Sequence, residues 1–229
     1  VRTSAIDSDN GAVSAVGVLA EACGGAAPWL FNNFRVSGRS TISMSRADGV
    51  RAVGACHVRV DSNRLVVGGE ESANNDAIGV LCARDVDAGI SSQCTVINNT
   101  DILGSAGGVP PRSVGVQCDD GACARIENNR ISGRQGMFAA GVVLNNTGAV
   151  VSRNQISAGC AGTGVGLLSR NAFSRVENNV INGALCTGIV VGPAVVNSFA
   201  VQALQGTGTN ELDLHSNTLL ANGARMGMC

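Results

Sequence analysis

The sequence predicts an all-β chain, a single right-handed parallel β-helix solenoid of about seven coils that occupies residues 1–229 as one domain. Three observations carry that prediction. An asparagine-centred motif recurs along the chain, a Gly-apolar pair precedes most copies of it, and the composition is poor in helix formers and rich in β-branched and turn residues.

The motif is plainest at Arg125–Gly133, RIENNRISG, and at Arg175–Gly183, RVENNVING, with VVSRNQISAG between them at Val150–Gly159. RVDSNRLVVGG (Arg59–Gly69) and TVINNTDILG (Thr95–Gly104) are earlier copies, and NNFRVSG and LDLHSNTLLANG close the two ends. Its anchor is Asn33, Asn63, Asn99, Asn129, Asn154, Asn179 and Asn217, at successive separations of 30, 36, 30, 25, 25 and 38 residues. That period belongs to solenoids, and its irregularity places loops of variable length at the corners.

Apolar residues three before the anchor (Val60, Val96, Ile126, Val151, Val176, Leu214) and two after it (Leu65, Ile131, Ile156, Ile181, Leu219) are expected inside. Val36 and Ile102 fill the second place one residue later. The Gly-apolar pairs, from Gly17-Val18 and Gly49-Val50 to Gly164-Val165 and Gly188-Ile189, mark a further strand per coil. The anchor itself is expected to take a left-handed conformation at a tight corner. Stacked at about 4.8 Å, its amide would hydrogen-bond the anchors above and below.

V-x-N-N-x-I-x-G repeated in this way resembles the right-handed parallel β-helix superfamily, which holds pectate lyases, polygalacturonases and periplasmic carbohydrate-binding proteins. The resemblance covers about Val13 to Gly223. It implies the fold and says little about activity.

Nine cysteines without a C-x-x-C pair point to an oxidising compartment, so the chain is expected to be secreted, periplasmic or at the cell surface. Coil register predicts Cys23–Cys56, Cys82–Cys94, Cys118–Cys123 and Cys160–Cys186, with Cys82–Cys118 as the rival pairing. Cys229 is left over, free or paired outside the chain, and it and the solenoid ends are the expected routes to self-association. The start at Val1 reads as a processed chain or an excised domain.

Net charge is −1, all 16 basic residues are Arg, and no charge run occurs, so nucleic acid is not an expected partner. No apolar stretch is long enough to enter a bilayer. No metal or other cofactor is expected.

Two sets of residues could carry function. The row four before the anchor holds Arg59, Arg125 and Arg175, and the row two before it holds Asp61, Glu127 and Glu177. Both rows are expected to face outward, as a charged strip that grips a sugar acid or as solvated surface pairs. Trp29, in the first long loop, either stacks on a sugar or caps the core. The second set is acidic. Asn99-Thr100-Asp101 lies 18 residues before Asp119-Asp120. This is similar to the N-T-D and D-D of polygalacturonase-like hydrolases, where one Asp protonates the leaving oxygen and the others activate water. The resemblance makes Asp101, Asp119 and Asp120 the catalytic candidates. The family's G-H-G has no counterpart, and its R-I-K is impossible in a chain without Lys. The reading reached is a secreted or cell-surface scaffold or adhesion module that binds polysaccharide or a cell-surface glycan without catalysis. The alternative is a polysaccharide hydrolase or lyase.

Overall fold

A computed structural model describes residues 5–9, 14–21, 23, 29–39, 46–69, 76–184, 186 and 197–221. These residues are all-β, without a helix, and the strands lie parallel apart from the short hairpin partner Ile90–Ser91. The repeat at its most regular consists of Arg112–Asp119, Cys123–Glu127 and Arg130–Ser132, followed by Gln135–Asn145, Val150–Ser152 and the start of Gln155–Arg170. Each strand pairs with its counterpart one repeat on, so strands of like position assemble into sheets.

Among the described residues, sheet A holds seven strands, from Trp29–Phe31 to Glu211–His215. The other strands form a fifteen-stranded sheet of two limbs. Limb B carries the strands that follow each anchor Asn. Limb C carries the long strands such as Arg112–Asp119. Gln155–Arg170 runs through both limbs and joins them.

One apolar core runs unbroken from Ala20 to Val201. Its rows are those the motif predicts: Val60, Val96, Ile126, Val151 and Val176 from sheet A, and Ile102, Ile131, Ile156 and Ile181 from limb B, all at most 1% exposed. Two positions differ. Val66, not Leu65, shares register with Val36 and Ile102, because the first three repeats have one extra residue between anchor and strand. Leu214 is 42% exposed, since its strand is the last of sheet A among the described residues.

The anchor asparagines form a continuous ladder, buried from Asn33 to Asn179. Each Nδ2 donates to the Oδ1 of the next anchor at 2.8–3.0 Å, from Asn33 through Asn63, Asn99, Asn129, Asn154 and Asn179 to Asn217. Backbone N–H groups of the same residues donate to the same oxygens. The left-handed backbone lies one residue earlier than expected, at Asn32, Ser62, Asn98, Asn128, Arg153, Asn178 and Ser216, with φ from 52° to 58°. The chain turns on that residue, and the anchor is thereby aimed inward, where an amide needs partners.

A second corner, between limb C and sheet A, repeats the device at the surface. Asp120, Asn146 and Asn171 have positive φ, and their side chains are linked by hydrogen bonds of 2.9 and 3.1 Å.

The Gly-apolar signature marks a close approach of limb C to limb B. A Cβ on Gly79 would stand 2.8 Å from both Ile102 Cγ2 and Leu103 O. The register places Gly166-Leu167, rather than Gly164-Val165, beside Gly141-Val142, and Ala200-Val201 takes the following place. Gly188-Ile189 lies outside the described residues, as does Cys229.

All four expected disulfides are present, with Cα–Cα distances of 4.6–6.3 Å. Cys82 and Cys118 are register partners in limb C, and Cys94 and Cys123 are partners in sheet A. Each bridges the corner to the other sheet, which rules out Cys82–Cys118. The four bonds are consistent with an extracellular or oxidising compartment.

Candidate functional site

The charged strip on the outside of sheet A exists, but its two rows differ. Arg125 and Arg175 are exposed, whereas Asp61 and Glu127 are buried at 3% and 7%. The expectation that both rows face solvent is thus corrected. In a pleated strand the two rows share a side, and the long Arg side chains fold over the shorter acids.

Glu127 takes two guanidiniums, those of Arg125 and Arg153. Arg175 lies 2.7 Å from Glu177, and Arg59 lies 2.8 Å from Asp61. At the last strand, His215 Nε2 lies 2.6 Å from Asp213 Oδ1. Burial opposes charge on Asp61, but hydrogen bonds from Ser62, Asn98 and Arg59, with the Arg59 charge, outweigh it. The carboxyl is held below its ordinary range. Trp29 begins a strand of sheet A and is 40% exposed, with the Arg59 guanidinium 5.1 Å from its ring centroid. That ring already engages a cation.

The acidic candidates divide between two corners. Asp119 and Asp120 close limb C, where the disulfide Cys118–Cys123 spans the turn. Both Asp119 oxygens are occupied: Gln117 Nε2 donates to one at 2.6 Å and Asn145 Nδ2 to the other at 2.7 Å. Gln117 in turn accepts from Arg112, whose guanidinium burial pushes below its ordinary range against the pull of Asp76 and Asp119. Asp120 accepts from Asn146 and belongs to the surface ladder. Asp101 instead opens a limb B strand, beyond the far end of sheet A. A five-residue strand of that sheet spans roughly 16 Å. The structure therefore brings Asp119 and Asp120 together and sets Asp101 apart from them.

Asp101 lies on the rim of a groove that the motif did not reveal. The groove has a volume of about 680 Å³ and runs across the outside of limb B over four consecutive strands. Its floor is a register row, Leu103, Ser132, Ser157 and Asn182. One rim holds Asp101, Arg130 and Gln155, and the other holds Ser105, Arg134, Gln135 and Cys160 of the Cys160–Cys186 disulfide. Arg130 approaches Asp101 at 3.4 Å and keeps 69% of its side chain exposed. Among the described residues, the carboxamides of Gln135, Gln155 and Asn182 make no side-chain hydrogen bond.

Arg134 is the unusual member. It adopts φ +70°, a left-handed conformation that costs an L-residue about 1–2 kcal/mol. The next repeat solves the same place with Gly159 at φ +85°. The two tripeptides Ser132-Gly133-Arg134 and Ser157-Ala158-Gly159 match bond for bond, each serine Oγ accepting the N–H two residues on at 3.0 Å. Cys160 N–H donates to Arg134 O at 2.6 Å and fixes that backbone. The signal was present in the sequence, as an Arg standing 25 residues before a Gly in an aligned repeat.

Compared with protein families, curated proteins and solved structures, the chain matches none.

Proposed function

We propose that the chain is a right-handed parallel β-helix scaffold of the secreted or cell-surface kind, and that it binds a glycan along limb B without cleaving it. One observation carries the binding reading: a polar groove crosses four repeats and offers three carboxamides that have no side-chain partner among the described residues. Uncommitted carboxamides suit sugar hydroxyls, which both donate and accept. The parallel pairing of like strands from one repeat to the next supports the solenoid, and the right-handed crossover is the general rule for parallel strands.

Glycan cleavage is the second reading, favoured by Asp101 at the groove rim. Hydrolysis by the two-carboxylate route needs a second acid near it. Asp101 is the only acid among the described residues of the lining. Glycan-array binding, run beside a digestion screen on acidic and neutral polysaccharides, tests both. Binding without new reducing ends or unsaturated uronate is the expected result. Cleavage that disappears in Asp101→Asn would make the protein an enzyme, and silence on the array would end the binding reading.

A further inference from the structure

We infer that the groove on limb B is selective for an acidic saccharide, and that Arg134 is the residue that reads its anionic group, a carboxylate or a sulfate ester. The inference rests on the glycan-binding reading and goes beyond it in assigning charge selection to one residue.

Three observations converge on Arg134. Its backbone is strained where the neighbouring repeat uses glycine, and such strain persists only where surrounding structure enforces it. The enforcing contacts are the Ser132 hydroxyl on its N–H and the Cys160 N–H on its carbonyl. Its guanidinium has no carboxylate partner among the described residues, whereas Arg59, Arg125, Arg153 and Arg175 each have one. It shares the groove with Arg130, which is only loosely held by Asp101. Among the described residues of the lining, two guanidiniums and one carboxylate give a net positive charge.

Gly159 explains why the arginine stands in this repeat. A Cβ on Gly159 would overlap the Arg134 carbonyl and Cα, so that repeat admits no side chain. On the other side of Arg134 the pairing of Asp101–Ser105 with Arg130–Ser132 stops at Leu103 and Ser132, and Arg134 is exposed. The Arg134 side chain therefore has room that its successor lacks. The planar guanidinium donates two parallel hydrogen bonds to a carboxylate or sulfate, and Gln135, Gln155 and Asn182 lie within the same groove for ring hydroxyls.

The test compares calorimetric binding of a hexuronate tetramer, its methyl ester, and a neutral and a sulfated tetramer. The proteins are wild type, Arg134→Gly and, as a distant control, Arg84→Ala. Glycine suits the left-handed backbone, so Arg134→Gly is expected to melt no lower than wild type. Wild type is expected to bind at least one acidic tetramer about tenfold or more tighter than the neutral forms, and Arg134→Gly to lose that margin. Arg84→Ala should keep it. Preference for the carboxylated or for the sulfated form identifies the anion. Equal binding of acidic and neutral tetramers, or a margin that survives in Arg134→Gly, overturns the inference and leaves the glycan-binding reading standing. No binding of any saccharide by wild type overturns both.

Discussion

The outside of sheet A and the outside of limb B are built from similar residues and use them in opposite ways. On sheet A every arginine of the strip has an acid within reach, and Glu127 holds two. On limb B, among the described residues, Arg134 has no such acid and three carboxamides that line the groove make no side-chain hydrogen bond. Charges satisfied internally fix a surface, while groups left unsatisfied on a rigid frame remain available to a ligand. Counting charged residues in the sequence favours sheet A as the site. Tracing their partners favours limb B.

That contrast can be broken by substitution. The largest effect is expected from the interior that supports both faces. Asn129 Nδ2 reaches Val96 O, Glu127 O and Asn154 Oδ1, and its Oδ1 accepts from Asn99 twice. Asn129→Ala should cost about 4 kcal/mol in chemical denaturation, since several buried groups lose partners together. A loss below about 1 kcal/mol would show that the ladder contributes little net stability. Next comes Glu127→Ala, expected to cost about 1–2 kcal/mol, because a buried acceptor for two partly solvated guanidiniums disappears.

Acid sensitivity sharpens the same face. The Asp61 carboxyl is held below its unfolded value, so its contribution is present above about pH 4 and is lost as pH falls through the folded value. Asp61→Asn should be less stable than wild type at neutral pH, and the gap should close in melts taken below about pH 4. The smallest effect is expected in the groove. Gln155→Ala should change stability by no more than about 0.5 kcal/mol while weakening glycan binding. A large stability loss there would mean that limb B, like sheet A, is internally satisfied.

Much of the frame was legible because a solenoid-like repeat writes its register into the spacing of one residue type. The Gly-apolar pairs Gly17-Val18 and Gly49-Val50 align Cys23 with Cys56, and the anchors Asn154 and Asn179 align Cys160 with Cys186. The left-handed corner was misplaced by one residue because Asn-Asn pairs at Asn32, Asn98, Asn128 and Asn178 leave either residue able to turn. Only Ser62, Arg153 and Ser216 separate the two roles. The surface ladder through Asp120, Asn146 and Asn171 was missed for a related reason. Its first rung is Asp120, whose residue type does not match the two Asn that follow it. The groove was not legible as a motif at all. Its members come from four strands joined by loops of unequal length, and they meet only through register. Depth of burial likewise escapes a period-two pattern, which separates Val60 from Asp61 but does not foresee Arg59 folding over the acid.

The asparagine ladder has a direction. Each of the six amide-to-amide links runs from an Nδ2 to the Oδ1 of the next repeat, so they share one polarity from Asn33 to Asn217, while from Asn63 on each Nδ2 also donates to a backbone carbonyl of the preceding repeat. Two copies related by a two-fold axis would meet with like ends and could not continue the ladder. Any assembly that extended the row would have to be a head-to-tail filament, growing by translation rather than closing as a symmetric pair.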